Sequence, residues 1–239
     1  MLQTLAIAVI LAPSLMVAMV FHELAHGLVA KWLGDTTASE RGRLTLNPLR
    51  HVSHVGTVLI PSALTLAGGP FFGWAKPVPI RKRRLRNPRF GLMAVAAAGP
   101  LSNIGLALIG ALALGLAWVD GANFDPARPF LPLLFSPAGE PAWVMSALYF
   151  FVVINLLIAV LNALPIPPLD GSHFVAGLLP KGLRTRWNRL QRYGFAALIG
   201  LVVLSWLTGG SWIFTALGAP LLWVIDAFIT LALWVSQAV

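Results

Sequence analysis

The stretch "MVAMVFHELAHGLVAKW" (residues 16–32) sets His22, Glu23 and His26 in an apolar run, at the end of 21 residues without an ionisable side chain. Such groups are costly in hydrocarbon and persist there when they pair or carry a function. Residues His22-Glu23-Leu24-Ala25-His26 form the pattern H-E-x-x-H. On a helix, residues four apart differ by about 40° in direction and about 6 Å in rise, so both imidazoles can reach one metal. Glu23 lies beside the same centre, placed to accept a proton from water. Zinc suits two neutral imidazoles and can bring the pKa of water down to about 7. A metal also supplies the partner that three polar groups in an apolar helix require.

Composition extends the reading to the whole chain. Of 239 residues, 58% are hydrophobic and 10% charged, with a mean hydropathy of +0.81. Soluble domains carry about a quarter charged residues, so this balance points to an integral membrane protein. Apolar runs fall at 3–30, 56–72, 91–118, 142–164, 193–207 and 211–236. At roughly 20 residues per crossing, the length suits a single domain, 1–239, of five to six transmembrane helices. Its catalytic core spans about 3–175, followed by a helical hairpin at about 193–236 around "TGGS" (208–211). Cysteine is absent, which excludes disulfides and thiolate metal ligands. The first basic residue is Lys31, so the N-terminus lacks the basic region of a signal peptide and reads as a retained helix.

The net charge of +9 does not imply nucleic acid. Sixteen of the 17 Lys and Arg lie in three clusters, Lys31–Arg50, Lys76–Arg89 and Lys181–Arg192, separated by apolar runs. The positive-inside rule places all three in the cytosol. The loop 119–141 carries Asp120, Asp125 and Glu140 against Arg128 alone and is expected outside. The N-terminus is then outside and the C-terminus cytosolic. Basic clusters flank the run 56–72 on both sides, and it contains Pro61, Gly68, Gly69 and Pro70, so a re-entrant segment is expected, with a full crossing as the alternative. Arg43-Leu44-Thr45-Leu46 alternates and is closed by Asn47-Pro48, which predicts a short β-hairpin at the cytosolic membrane edge. The expected fold is an all-α polytopic membrane protein with these two additions.

A catalytic zinc needs a third protein ligand and an open position. Inside or beside apolar runs stand Asp170, His173 and Asp226, with His51 and His54 farther out. Asp170 is best placed. In "NALPIPPLDGSH" (162–173), Pro165, Pro167 and Pro168 end the preceding helix, which predicts extended backbone at Asp170 near the cytosolic face. His22 and His26 lie in the cytosolic half of the first helix, at similar depth.

With these residues in view, the chain resembles the site-2 proteases, intramembrane zinc metalloproteases, in their compact bacterial branch without PDZ or CBS domains. The resemblance rests on HELAHG (22–27), "RGRLTLNPLRHV" (41–52), "GWAKPVPI" (73–80), "AAAGPLSN" (96–103) and N-x-x-P-x-x-x-x-D-G from Asn162 to Gly171, and covers roughly 15–175. It implies one zinc per chain, with His22, His26 and Asp170 as ligands and Glu23 as catalytic base. It also implies substrate binding by Asn162 and, at the end of G-P-x-x-N, by Asn103; helix-to-helix hydrogen bonding is the alternative for each. Where relatives read H-I-D-P, this chain reads His51-Val52-Ser53-His54, and His54 is expected to be solvated. His173 is either a donor to the Asp170 ligand or a plain interfacial residue. Asp226 is expected to pair with a helix hydroxyl or backbone.

The expected activity is an endopeptidase cutting transmembrane segments of other proteins near the cytosolic side of a bacterial cell membrane. A substrate helix must unwind first, and the 41–46 strand would pair with it. The expected partners are transmembrane protein substrates and the lipid bilayer, with no nucleic acid. The alternative is a zinc-binding scaffold or transporter without hydrolysis. Glu23 argues against a purely structural site, and no paired, interrupted helices in two halves suggest a transporter.

Overall fold

Long uninterrupted runs of Leu, Ala, Val and Ile satisfy their backbone groups internally only as helices, and helices dominate the structure. The computed structural model describes residues 2–66, 73–125, 132–209 and 211–238. Its α-helices are α1 (Leu2–Trp32), α2 (Thr37–Glu40), α3 (Ile60–Leu66), α4 (Pro88–Leu116), α5 (Trp143–Ala163), α6 (Asp170–Leu178), α7 (Lys181–Leu190), α8 (Gly194–Leu207) and α9 (Ser211–Ala238). Five helical stretches among the described residues are long and apolar enough to cross a membrane: Ile7–Trp32, Pro88–Leu116, Trp143–Ala163, Lys181–Leu207 and Gly218–Ala238. The protein is a multi-pass, all-α membrane protein.

The chain packs as two compact units. The first comprises Met1–Ala18, Asn103–Ile158 and Ala219–Val239. Its core draws Ile7 from α1, Ala107, Ala111 and Leu114 from α4, Phe150, Val153 and Leu156 from α5, and Ile225 and Ala232 from α9. Small residues on α4 let helices approach closely: a side chain at Gly110 would meet the Phe151 ring and Val152. Two residues of α4 and α5 add polar fastening in this apolar setting. Asn103, fully buried, donates to the Ala18 carbonyl (3.0 Å) and to Asn155 Oδ1 (2.8 Å), while Asn155 donates to the Phe151 carbonyl (2.8 Å). A small antiparallel sheet pairs β1 (Asn123–Phe124) with β2 (Leu134–Phe135), and Ser146 Oγ accepts the Leu134 N–H (2.9 Å).

The second unit comprises Met19–Ser102 and Ala159–Gly218. Just past α1, Asp35 is 1% exposed and acts as a latch. It accepts the N–H (3.0 Å) and hydroxyl (2.5 Å) of Thr37 and, across the fold, the Arg81 N–H (2.5 Å). Ala30, Leu85 and Val95 pack beside it as a small core. A π-helical turn, His54–Leu59, runs into α3, giving a short apolar helix in the expected re-entrant run. Gly68, Gly69 and Pro70 of that run lie outside the described residues.

One local expectation here differs from what forms. The strand predicted at 43–46 is absent; the two-stranded sheet lies instead at 123–124 and 134–135. Pro77 and Pro79 have no N–H to donate, so the segment 76–80 beside it cannot make a full ladder. Arg43 makes the connection through its side chain, donating to the carbonyls of Lys76 (2.6 Å) and Pro77 (3.5 Å). The basic cluster Lys181–Arg192 is helical and continues into the span ending at Leu207.

Candidate active site

His22 and His26 stand one turn apart on α1, both buried, with rings at 4.6 Å between centroids and nearly perpendicular. The third member comes from the far side of the proline-rich break. The helix α5 ends at Ala163, and Leu169 N–H donates to the Ile166 carbonyl (2.8 Å) to close a turn. Asp170 then opens α6, rather than lying on extended backbone as its prolines suggested. The extended residue is Leu169, immediately before it. Gly171 makes this placement possible, because a Cβ there would overlap the Ala163 and Leu164 carbonyl oxygens. At its other end α6 is fastened by Arg89, which donates to the carbonyls of Gly177 (2.5 Å) and Leu178 (3.2 Å).

The three ligand atoms converge. Nε2 of His22 is 3.0 Å from Oδ2 of Asp170 and 3.0 Å from Nε2 of His26, which in turn is 3.2 Å from the same Oδ2. His26 Nδ1 donates to the Val95 carbonyl (2.6 Å), so the neutral ring turns the lone pair of Nε2 toward the other two atoms. Three electron-pair donors this close repel one another unless a proton or a cation lies between them. Ligand atoms of a tetrahedral zinc stand about 3.3–3.5 Å apart, within a few tenths of an ångström of this triangle. The residues present therefore fit a zinc ion. They form the one group of three metal-ligating side chains among the described residues. Burial pushes the Asp170 carboxyl up, but the two imidazoles outweigh it and hold the group far below the usual carboxylate range.

Glu23 is half-buried next to this cluster in sequence. Its Oε2 accepts the Val78 N–H at 2.7 Å, which ties it to the segment 73–80, which is neither helix nor strand. Residue Gly99, on α4, was quoted in a motif but given no role by sequence reasoning. A Cβ there would stand 2.5 Å from Nε2 of His26 and 2.6 Å from Nε2 of His22, so only glycine leaves the face of the triangle open. The Val95 carbonyl and Val78 amide also went unseen, because backbone groups leave no mark in side-chain identity.

The remaining expectations divide. Asn162 is half-buried on the last turn of α5, in the same unit as the triangle. Asn103 makes helix-to-helix hydrogen bonds in the other unit, its Nδ2 donating to the Ala18 carbonyl and to Asn155 Oδ1. His173 faces Gln191 Nε2 (3.4 Å), and burial pushes its imidazole down. His51 is buried and donates to the Thr45 carbonyl (2.9 Å), while His54 is exposed. Asp226 is exposed on α9 and is not a member of the metal-ligating group.

Comparison with known proteins agrees with this architecture. The model described as "Peptidase family M50" matches residues 133–206. Over 211 residues the chain is 37% identical to "Putative zinc metalloprotease YwhC" of Bacillus subtilis (strain 168), covering 88% of this chain and 82% of that one. It is 28% identical over 189 residues to "Putative zinc metalloprotease Rip2" of Mycolicibacterium smegmatis, covering 79% of this chain and 64% of that protein. No solved structure matches it. The chain belongs to peptidase family M50, the site-2 proteases.

Proposed function

We propose that this chain is a zinc endopeptidase that cuts transmembrane segments of other membrane proteins. The observation carrying the reading is the convergence of His22, His26 and Asp170, with Glu23 one residue from the first ligand. His26 lies six residues before the end of the span Ile7–Trp32, about 9 Å along the helix axis, so the chemistry sits at membrane depth. His22, His26 and Asp170 would hold the zinc, which when bound would supply Lewis-acid polarisation of a carbonyl and a lowered pKa for water. Glu23 moves the protons. The Val78 N–H holds Oε2 and aims the carboxylate, leaving Oε1 to take a proton from the attacking water and pass it to the leaving nitrogen. Asn162, on the turn of helix leading to Asp170, is assigned to the substrate backbone.

Orientation follows from charge. With five crossings, and no crossing between the spans Ile7–Trp32 and Pro88–Leu116, the clusters around Lys31, Lys76 and Lys181 fall on one side, as the positive-inside rule requires of the cytosol. The active site then opens toward the cytosolic side of the cell membrane.

Glu23→Gln is the test. It keeps size and hydrogen bonding but cannot take a proton, so cleavage of a transmembrane substrate in liposomes should fall about 10²- to 10⁴-fold. Zinc content should stay near one per chain. Near-normal cleavage removes Glu23 as base. Zinc retention with no cleavage by the unmodified chain, across a panel of transmembrane substrates, favours the scaffold reading instead.

A further inference from the structure

Away from the metal-ligating triangle, the second unit contains a cavity of about 640 Å³ between residues 41–55 and 76–79. Four of its lining side chains are cationic: Arg41, Arg43, Arg50 and Lys76. Among the described residues no carboxylate lines it. The acidic groups of this part of the chain are engaged elsewhere: Glu40 pairs with Arg84 (2.6 Å), Asp35 binds Thr37 and the Arg81 amide, and Glu23 holds the Val78 amide. Four positive charges therefore share one concavity without a counter-ion.

A second observation sharpens this. Arg43 is only 8% exposed, and its terminal nitrogen donates to the Lys76 and Pro77 carbonyls. Its Nε–H is buried and has no acceptor among the described residues. A buried donor left unpaired is costly, and a guanidinium matches the paired oxygens of a phosphate. The lining is also partly greasy: Leu49 is 77% exposed and Val55 52% exposed. Cations beside exposed apolar side chains suit a ligand with an anionic head and an apolar body.

We propose that this cavity binds the phosphate group of an anionic phospholipid, with Arg41, Arg43, Arg50 and Lys76 as its cationic lining. Basic pockets of this kind on membrane proteins take lipid head groups.

The test uses the full-length protein and native mass spectrometry from detergent containing phosphatidylglycerol or phosphatidylcholine. The chain should retain phosphatidylglycerol in preference to phosphatidylcholine. A double variant, Arg41→Gln with Arg50→Gln, changes two exposed side chains and should reduce that retention tenfold or more. Glycerol 3-phosphate should bind far more weakly than the lipid. Equal retention of the two lipids, or unchanged phosphatidylglycerol retention in the double variant, overturns the proposal. Glycerol 3-phosphate binding as tightly as the lipid also overturns it, in favour of a soluble phosphate compound.

Discussion

At the scale of single residues, the site depends as much on what is missing as on what is present. Gly99 leaves room where any side chain would press on both imidazoles. Gly99→Ala should keep the helical content, read by circular dichroism, and lower zinc affinity tenfold or more in a competition titration with a chelator. Zinc binding unchanged by that methyl would mean the open face of the triangle is not where the metal sits. The cluster of His22, His26 and Asp170 was readable from sequence because such residues are expensive in or beside apolar segments unless they serve a purpose. Gly99 was not, because a glycine in an alanine-rich helix reads as a packing residue until the helix facing it is known.

At the scale of elements, hydropathy located the long helices well, since crossing length and composition both follow from the bilayer. Short elements were less legible. The segment 43–46 alternates like a strand, but a strand needs a partner with donors, and its neighbour carries prolines at 77 and 79. The pairing that forms, Asn123–Phe124 with Leu134–Phe135, is two residues long on each side and too brief to leave a pattern. The Asp35 latch was also unmarked in sequence. Burial pushes its carboxyl up, but hydrogen bonds from Thr37 and the Arg81 amide outweigh this and leave it below the usual range. A depressed carboxyl contributes stability that is full above its unfolded value of about 4 and is lost as pH falls through the folded value. Proteolysis between α1 and α2 should therefore rise as pH drops below about 4. The Asp35→Asn variant should be cut at all pH values with little further change on acidification; an acid-insensitive native chain would dismiss the latch.

At the scale of the whole molecule, the charge pattern and the five spans predict sidedness, and the chain is convenient for measuring it. It contains no cysteine, so one introduced thiol reports one location without background. Asp120→Cys, between α4 and β1, should react with a membrane-impermeant maleimide on intact cells. Arg184→Cys, on α7, should react only after permeabilisation. Asp120 is exposed and Arg184 half-buried, and labelling of Arg184→Cys once the cells are permeabilised is the control that its silence from outside reflects sidedness and not burial. Labelling of Arg184→Cys from outside would invert the topology and take the active site to the other face.

The proline-bearing segment 76–79 has a further consequence, for turnover. A protease that handles unwound chain risks keeping its product as an added strand. Along these four residues Pro77 and Pro79 have no donor, Lys76 N–H is committed to the His51 carbonyl (2.8 Å) and Val78 N–H to Glu23 (2.7 Å). Arg43 covers the Lys76 and Pro77 carbonyls. Restoring one donor with Pro79→Ala should strengthen inhibition by the cleaved fragment severalfold in a product-inhibition assay, and no change would show that this edge never meets the product. As built, the segment has no uncommitted N–H along these four residues, so an unwound fragment could not add to it as a full strand.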